Sequence, residues 1–264
     1  MIEWLGLRQA NTPIKITLLR KRWLAFSAPR FKVAQYEYNM KIRTILIWAV
    51  AGLGAAGFSS CSMNTAGGGL SSYQAYDRPA KLPKNPSAVK VKVSLSKQRV
   101  YVMEGGEMLM AMPVSVGKSS SPTPSGSFRI KSKNKFYRAN THGYAYKGKR
   151  AKKAYLSKKP SGWSFKGTPM PYWCEFKTAY GFHTGWVKHS PCTHGCIRMH
   201  ENLSPKFFRL VSVGTPVSIS YSQSEDAKWA NMTLSPDAGP LPDYPTSTYL
   251  SDDYFSHHKT PKYD

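Results

Sequence analysis

Alternation of apolar and polar side chains marks the start of the folded part of this chain. Residues 89–95 alternate strictly between Val or Leu and Lys or Ser, a period typical of a β-strand with one buried face. A second apolar run follows at 99–103, and a Gly-Gly pair after it supplies a tight hairpin turn. Residues 108–116 return as a third strand, with Pro113 indicating an edge or bulge. The pattern predicts an antiparallel β meander.

The second half of the pattern predicts more strands and a single helix. Turn residues at 123–126 precede an alternating strand at 127–131, and an aromatic run at 173–182 re-enters the sheet. Ser204 followed by Pro205 predicts the start of a short amphipathic helix, and residues 215–221 make a final strand. We therefore expect a mostly β fold of the sandwich or meander type, with one short helix.

Residues 132–168 interrupt this pattern. They are dominated by Lys, Gly, Tyr and Ser without a clear period. A segment of this length without secondary structure of its own is commonly functional. We expect an insert or lid beside a site.

The flanks of the apolar pattern differ from its middle. Residues 40–61 have a basic start, an apolar stretch and then Ser-Ser-Cys, and so predict an export signal. Upstream, residues 1–39 are interpreted as a non-native extension or a basic cytoplasmic tail. Residues 62–88 predict a flexible linker, and residues 222–264 a loose acidic tail rich in Pro, Ser and Tyr. The remaining span, 89–221, is the predicted folded domain.

Charge is concentrated in that domain. Residues 89–221 carry 23 Lys and Arg but only 4 Asp and Glu, while the tail at 222–264 holds seven of the fourteen acidic residues. A field of this sign favours an anionic partner. For an exported protein it indicates envelope polyanions, and without a motif that reads bases it does not favour nucleic acid.

Two short segments carry the candidate chemistry. Residues 182–185 read Phe-His-Thr-Gly and residues 193–198 read Thr-His-Gly-Cys-Ile-Arg. Cys196 is a thiol nucleophile whose pKa we expect an imidazole, a positive pocket or free N–H groups to lower toward neutrality. His183 is the candidate base. Gly195 lets the backbone turn so that successive N–H groups can hold an oxyanion.

These segments resemble the signature of the L,D-transpeptidases of the YkuD type: His-x-Gly, a loop, then Ser/Thr-His-Gly-Cys, an apolar residue and Arg. The stretches at 123–128, 170–172 and 213–217 are similar to the Thr-Pro-x-Gly-x-Phe turn, the Met-Pro-Tyr segment and the closing strand of that family. The resemblance spans about residues 89–221. The loop between the two halves of the signature is shorter than usual.

The resemblance implies a reaction on peptidoglycan peptide stems, with no cofactor and no metal. Cys196 would attack the carbonyl before the terminal D-alanine of a tetrapeptide and release that residue. An amine or water would then take the acyl group, giving a 3→3 crosslink, a protein anchor or a tripeptide. His183 would act as base and then acid, the N–H groups of His194, Gly195 and Cys196 would form the oxyanion hole, and Thr184 would orient His183.

Other residues have two open roles. Arg198 either binds a substrate carboxylate or fixes the loop, and His194 either positions the loop or contacts substrate. Tyr172 lines the cleft or packs in the core, and Thr193 is assigned to substrate binding. Histidines 142, 189 and 200 are expected at the surface or in loops.

The cysteines divide among several roles in an oxidising compartment. Cys61 follows small residues at the end of the apolar run and resembles a lipoprotein acylation site, which would anchor the protein to a membrane of the cell envelope. Cys174 and Cys192 are a possible disulfide. A structural zinc site built on Cys174, Cys192, His194 and Cys196 is a rival interpretation, although the spacing is unlike that of zinc knuckles.

One alternative function belongs to another class. A non-catalytic lipoprotein could use the basic surface and the lipid to tether the envelope to peptidoglycan. The presence of both His183 and Cys196 favours the enzyme, because tethering requires neither side chain.

Overall fold

The computed structural model describes residues 69–256 and 263, all of which lie in one compact unit. The predicted extension, signal segment and Cys61 lie outside the described residues. Within the described part, no helix is long and apolar enough to cross a membrane. Twelve strands and four short α-helices are described there, and only one of these helices lies within residues 89–221, so the prediction of a mostly β domain with one short helix is confirmed. The bounds are α1 Leu70–Ala75, β1 Val89–Ser94, β2 Arg99–Glu104, β3 Glu107–Ser115, β4 Gly126–Arg129, β5 Ser132–Asn134, β6 Arg138–Lys147, β7 Arg150–Tyr155, β8 Ser164–Pro169, β9 Trp173–Lys177, β10 Tyr180–Thr184, β11 Ile197–Met199, α2 Ser204–Leu210, β12 Pro216–Ser220, α3 Glu225–Lys228 and α4 Thr246–Leu250.

Nine strands form the main sheet, in the order β4-β12-β1-β2-β3-β11-β10-β9-β5. Two neighbouring pairs are parallel, β1 with β12 and β10 with β11, and the other neighbours are antiparallel. The predicted strand at 173–182 is two strands, because the chain turns at Ala179, a non-glycine residue with φ of 65°. This turn sends β10 back beside β9 and toward β11.

The predicted insert has structure of its own. Strands β7, β6 and β8 form a separate three-stranded antiparallel sheet. Between residues 138 and 169 the sequence has nine Lys and Arg and no Asp or Glu. This basic sheet stands beside the cavity described below.

Strand β1 is amphipathic as its sequence predicts, with Val89, Val91 and Val93 buried and Lys90 exposed. The three valines belong to the main core, together with Phe182, Ile197 and side chains of α2. Helix α2 begins one residue earlier than predicted: Ser204, expected as the N-cap, is its first residue, Leu203 is the N-cap, and Pro205 occupies the first turn.

The prediction of a loose tail at 222–264 is wrong for residues 222–256. Met232 of that segment is buried with Tyr101 and Met103 of β2, which explains why β2 is apolar on both faces. The carboxylate of Asp226 accepts hydrogen bonds from the hydroxyls of Ser94 and Tyr101, both at 2.8 Å. Acidic and aromatic side chains of the segment therefore pair with a basic domain rather than staying solvated.

The predicted linker also differs in its last part. Residues 70–75 form α1, and the Tyr73 side chain is only 2% exposed. Its hydroxyl accepts a hydrogen bond from Val187 N–H at 3.0 Å, and its carbonyl accepts one from the buried His200 ring at 2.7 Å. His200 thus lies in the connection between β11 and α2, as one of the two expected positions, but it is fully buried rather than at the surface.

Candidate active site

The parallel pairing of β10 with β11 brings the two signature segments together. In this register Phe182 lies beside Ile197 and His183 beside Arg198. Phe182 and Ile197 are fully buried in the core, and side chains alternate between the faces of a strand. His183 and Arg198 therefore share the opposite face, and Cys196, two residues before Arg198, lies at that face where β11 begins.

His183, Cys196 and Arg198 all line one cavity of about 570 Å³. His194, Thr193 and Thr184 line it as well, so the structure gathers most of the predicted site residues. Residues of strands β6 to β8 and residues between 238 and 254 line further parts of the cavity. Lining residues outside the signature include His142, Tyr144, Lys153, Tyr155, Met170, Trp186, Lys188, Asp243, Tyr249 and Tyr254.

The imidazole of His183 is held in one tautomer. Its Nδ1 lies 2.8 Å from the carbonyl oxygen of Thr184; because a carbonyl can only accept, Nδ1 carries the proton and Nε2 has a free lone pair. Burial, and then the positive charge of Arg198, lower the pKa of His183 to about 3. The ring is neutral at physiological pH and can accept a proton at Nε2.

The thiol of Cys196 differs from the expectation of a low pKa. Burial raises the pKa of Cys196, and the N–H of Gly181 and the charge of Arg198 only partly offset this effect. The thiol donates a hydrogen bond to the carbonyl oxygen of Ala179, with 3.7 Å between the sulfur and the oxygen. The resting pair is therefore a thiol and a neutral imidazole. The expectation that the pKa of Cys196 is lowered toward neutrality is wrong, because burial is not visible in local sequence.

The loop that carries Cys196 is fixed by two threonines. The Thr193 hydroxyl donates to the Cys196 carbonyl at 2.6 Å and accepts from Gly195 N–H at 3.0 Å. The buried hydroxyl of Thr123 donates to the Gly195 carbonyl and accepts from Gly117 N–H, both at 2.9 Å. Thr193 thus has a structural role, and so has Thr123, which the sequence marked only as part of a turn.

The predicted oxyanion hole needs one change. Gly195 N–H is already bound by Thr193, so it is not free to bind an oxyanion. Within residues 69–256, the N–H groups of His194 and Cys196 have no acceptor. Gly195 instead supplies the bend: its φ is 109°, and a Cβ there would lie 2.4 Å from a ring carbon of Tyr180.

Both remaining members of the His-x-Gly segment have structural partners. The Thr184 hydroxyl lies 2.5 Å from the Ser204 hydroxyl at the start of α2, while its carbonyl orients His183. A Cβ at Gly185 would lie 2.9 Å from the side chain of Arg198. Glycine at this position therefore leaves room for the Arg198 side chain to cross toward the cavity.

Two predicted residue roles are not observed. Tyr172 is not among the residues that line the cavity; its ring packs edge-on against Phe208 at 5.5 Å. Cys174 and Cys192 are free thiols rather than a disulfide. Cys174 is buried in the main core, which raises its pKa to about 12, while the Cys192 sulfur lies 3.9 Å from an Arg198 nitrogen.

The structure does not show the rival zinc site. In residues 69–256 and 263, no group of three or more His, Cys, Asp or Glu could hold a metal ion. His142, expected at the surface, is exposed but also lines the cavity, and burial together with His194 and Arg198 lowers its pKa.

Comparison with known proteins identifies the family of the domain. Residues 88–219, half of the chain, match the family described as YkuD, L,D-transpeptidase catalytic domain. The chain belongs to this family. Residues 88–219 are therefore an L,D-transpeptidase catalytic domain. No curated protein matches the sequence.

Solved structures similar to this L,D-transpeptidase domain are distant. An L,D-transpeptidase from Mycobacterium smegmatis is 21% identical, with a TM-score of 0.40, over 50% of this chain and 58% of its own. L,D-transpeptidase 1 from Mycobacterium tuberculosis is 25% identical, with a TM-score of 0.37, over 50% of this chain and 61% of its own. The match thus spans about three fifths of the length of either protein.

The cavity of this transpeptidase domain extends beyond the family match. The matched residues end at 219, but Ala238, Leu241, Asp243, Tyr249 and Tyr254 also line the cavity. The C-terminal segment, defined here as residues 237–256, was missed as a site element because its Pro and Ser content is typical of loose tails.

Proposed function

We propose that this protein is a peptidoglycan L,D-transpeptidase that uses Cys196 as nucleophile and His183 as general base. The observation that carries the proposal is the shared cavity face of the two side chains, set by the pairing of β10 with β11. The neutral Nε2 of His183 suits the role, since a base must be unprotonated before it accepts the thiol proton.

The first half-reaction would transfer the acyl group to sulfur. Sγ attacks the carbonyl that precedes the terminal D-alanine, and His183 takes the thiol proton. The C–N bond then breaks, the proton passes from His183 to the leaving amine, and a thioester remains on Cys196. The N–H groups of His194 and Cys196 would hold the oxyanion formed in between.

The second half-reaction would reverse these roles. An amine from another stem or from a protein, or water, attacks the thioester carbonyl. His183 takes a proton from the nucleophile and returns it to the sulfur as the C–S bond breaks. Arg198, whose guanidinium reaches the cavity, would bind a carboxylate of the stem peptide.

The test uses the full-length chain and a disaccharide tetrapeptide. We expect release of D-alanine and a mass increase on Cys196 equal to the acyl group. Cys196→Ala should abolish both, while Cys192→Ala, which removes a neighbouring free thiol, should retain them. Binding of the muropeptide without release of D-alanine would favour the non-catalytic tether instead.

We also propose an envelope location and an anionic partner for the basic sheet. Its hairpin residues Lys147, Lys149, Arg150 and Lys152 are exposed, a charge distribution suited to phosphate-bearing envelope polymers. Cys61 would carry the lipid anchor. Intact mass of the native protein tests this: a chain that begins at an acylated Cys61 supports it, and an unmodified cysteine contradicts it.

A further inference from the structure

The C-terminal segment places one acidic group in an otherwise basic cavity. Asp243 is the only carboxylate among the described residues that line it, facing Lys153, Lys188, Arg198 and the histidines. Hydrogen bonds from Tyr249 and Lys153 hold the pKa of Asp243 below its usual range despite its partial burial. The hydrogen bonds therefore favour the ionised carboxylate.

The orientation of Asp243 is fixed by a relay from the catalytic strand. The indole N–H of Trp186, three residues after His183, donates to the Tyr249 hydroxyl at 3.3 Å. Because an ionised carboxylate can only accept, the same hydroxyl donates its own proton to Asp243. The second carboxylate oxygen lies 3.0 Å from the Lys153 ammonium.

Aromatic rings pack around Tyr249, whose hydroxyl binds this carboxylate. Tyr144 of β6 stacks on Tyr249, with centroids 5.7 Å apart and planes at 13°. The ring centroid of Tyr254 lies 5.4 Å from that of Tyr249. A carboxylate beside phenol rings is a suitable environment for an ammonium group, because both the charge and the ring faces attract cations.

We propose that Asp243, with Tyr144 and Tyr249, forms the subsite for the amine that accepts the acyl group. This inference rests on the proposed function and names its acceptor class: a primary amine that arrives as an ammonium ion, rather than water. Lys153 occupies the carboxylate in the free protein, and its ammonium shows the type of group that Asp243 binds.

The acyl-transfer step balances without a further reactant. The bound ammonium loses one proton to solvent and attacks the thioester carbonyl on Cys196. A C–N bond forms, His183 takes a second proton from nitrogen, and the C–S bond breaks. That proton goes to the departing sulfur, so thiol and imidazole return to their resting states.

Competition between two acceptors tests the subsite. The full-length chain is given a tetrapeptide donor with either a primary-amine acceptor, such as D-lysine, or hydroxylamine, which is uncharged at neutral pH. For Asp243→Asn we expect transfer to D-lysine, relative to hydroxylamine, to fall about tenfold, the effect of losing one charged hydrogen bond. An unchanged ratio overturns the subsite.

Two further variants keep the test decisive. Asp252→Asn is the matched control: this acid of the same segment pairs with Arg138 and Lys166 and does not line the cavity, so the ratio should stay as in the wild type. Lys153→Met removes the competing ammonium and should lower the KM for D-lysine several-fold. If Asp243→Asn does not fold, an unchanged KM in Lys153→Met overturns the proposal.

The failure of the proposed function is distinguishable from the failure of this inference. If the wild-type chain releases no D-alanine from the donor, the transpeptidase function itself is wrong. If D-alanine is released but both acceptors respond equally to Asp243→Asn, only the subsite is wrong.

Discussion

Replacement of Thr123 by valine tests whether a single buried hydroxyl holds the reactive loop. Thr123 is only 5% exposed and lies 72 residues before its partner Gly195 in the sequence. Its Oγ1 donates to the Gly195 carbonyl and accepts from Gly117 N–H, both at 2.9 Å. Valine has nearly the same shape but makes neither bond, so the substitution leaves a carbonyl and an N–H group without partners.

The expected magnitude follows from these two groups. An unsatisfied buried donor or acceptor costs about 1–3 kcal/mol, so the two groups together should lower the free energy of unfolding of Thr123→Val by about 2–6 kcal/mol. Thr123→Ser keeps the hydroxyl and removes one methyl group, a loss of about 1 kcal/mol. We also expect D-alanine release to fall at least tenfold in the valine variant, since Gly195 directly precedes Cys196.

Urea unfolding of both variants, followed by tryptophan fluorescence, measures the first effect, and D-alanine release from a tetrapeptide measures the second. The valine variant loses the hydroxyl and keeps the methyl group, whereas the serine variant keeps the hydroxyl and loses the methyl group, so a larger effect in the valine variant is due to the hydroxyl. If the valine variant is no less stable than the serine variant and equally active, the hydroxyl bridge does not position the loop.

Three other predictions concern the same loop and its base. Gly195→Ala should cost at least about 2 kcal/mol, since it combines a positive φ with a clash against Tyr180; Tyr180→Ala in that background should recover part of the loss in urea unfolding, and full stability of the single variant would contradict the geometry. The pKa of His183 is 6.5 in the unfolded protein and about 3 in the native protein. Between these values the unfolded state binds more protons, so the free energy of unfolding decreases as the pH is lowered. This effect amounts to about 3 kcal/mol from pH 6.5 to 4; His183→Gln should flatten that decline, and an equal slope would refute the assignment. Since burial raises the pKa of Cys196 above its ordinary 9.0, its alkylation by iodoacetamide should still accelerate above pH 9, whereas a plateau below pH 7 would contradict a resting thiol.

Local sequence predicted those parts of the fold in which one strand face decides the pattern. The alternation at Val89, Val91 and Val93 is typical of a half-buried strand, and Ser204 with Pro205 marked the start of α2 to within one residue. The signature segments also predicted that His183 and Cys196 belong to one site. Each of these signals depends on residues within a few positions of each other.

The errors share a different physical origin. Asp226 and Met232 lie in a segment with the composition of a loose tail, but they bind partners in β1 and β2 more than 120 positions earlier. No local period encodes such a contact. The predicted decrease in the pKa of Cys196 was wrong for the same reason. His and Arg neighbours are visible in sequence, whereas the burial that raises the pKa is created by the fold.

The resting protonation state has a consequence for how this site could act. A neutral thiol beside a neutral imidazole carries no charge that attracts electrophiles, and making an ion pair in a buried place is unfavourable. Arg198 favours the thiolate of Cys196 but disfavours the imidazolium of His183. A carboxylate bound to Arg198 would weaken both effects: it would ease protonation of His183 and would remove part of the support for the thiolate. The balance of the two effects therefore decides how a bound anion changes the reactivity of Cys196, and the charge of this one guanidinium couples the two groups.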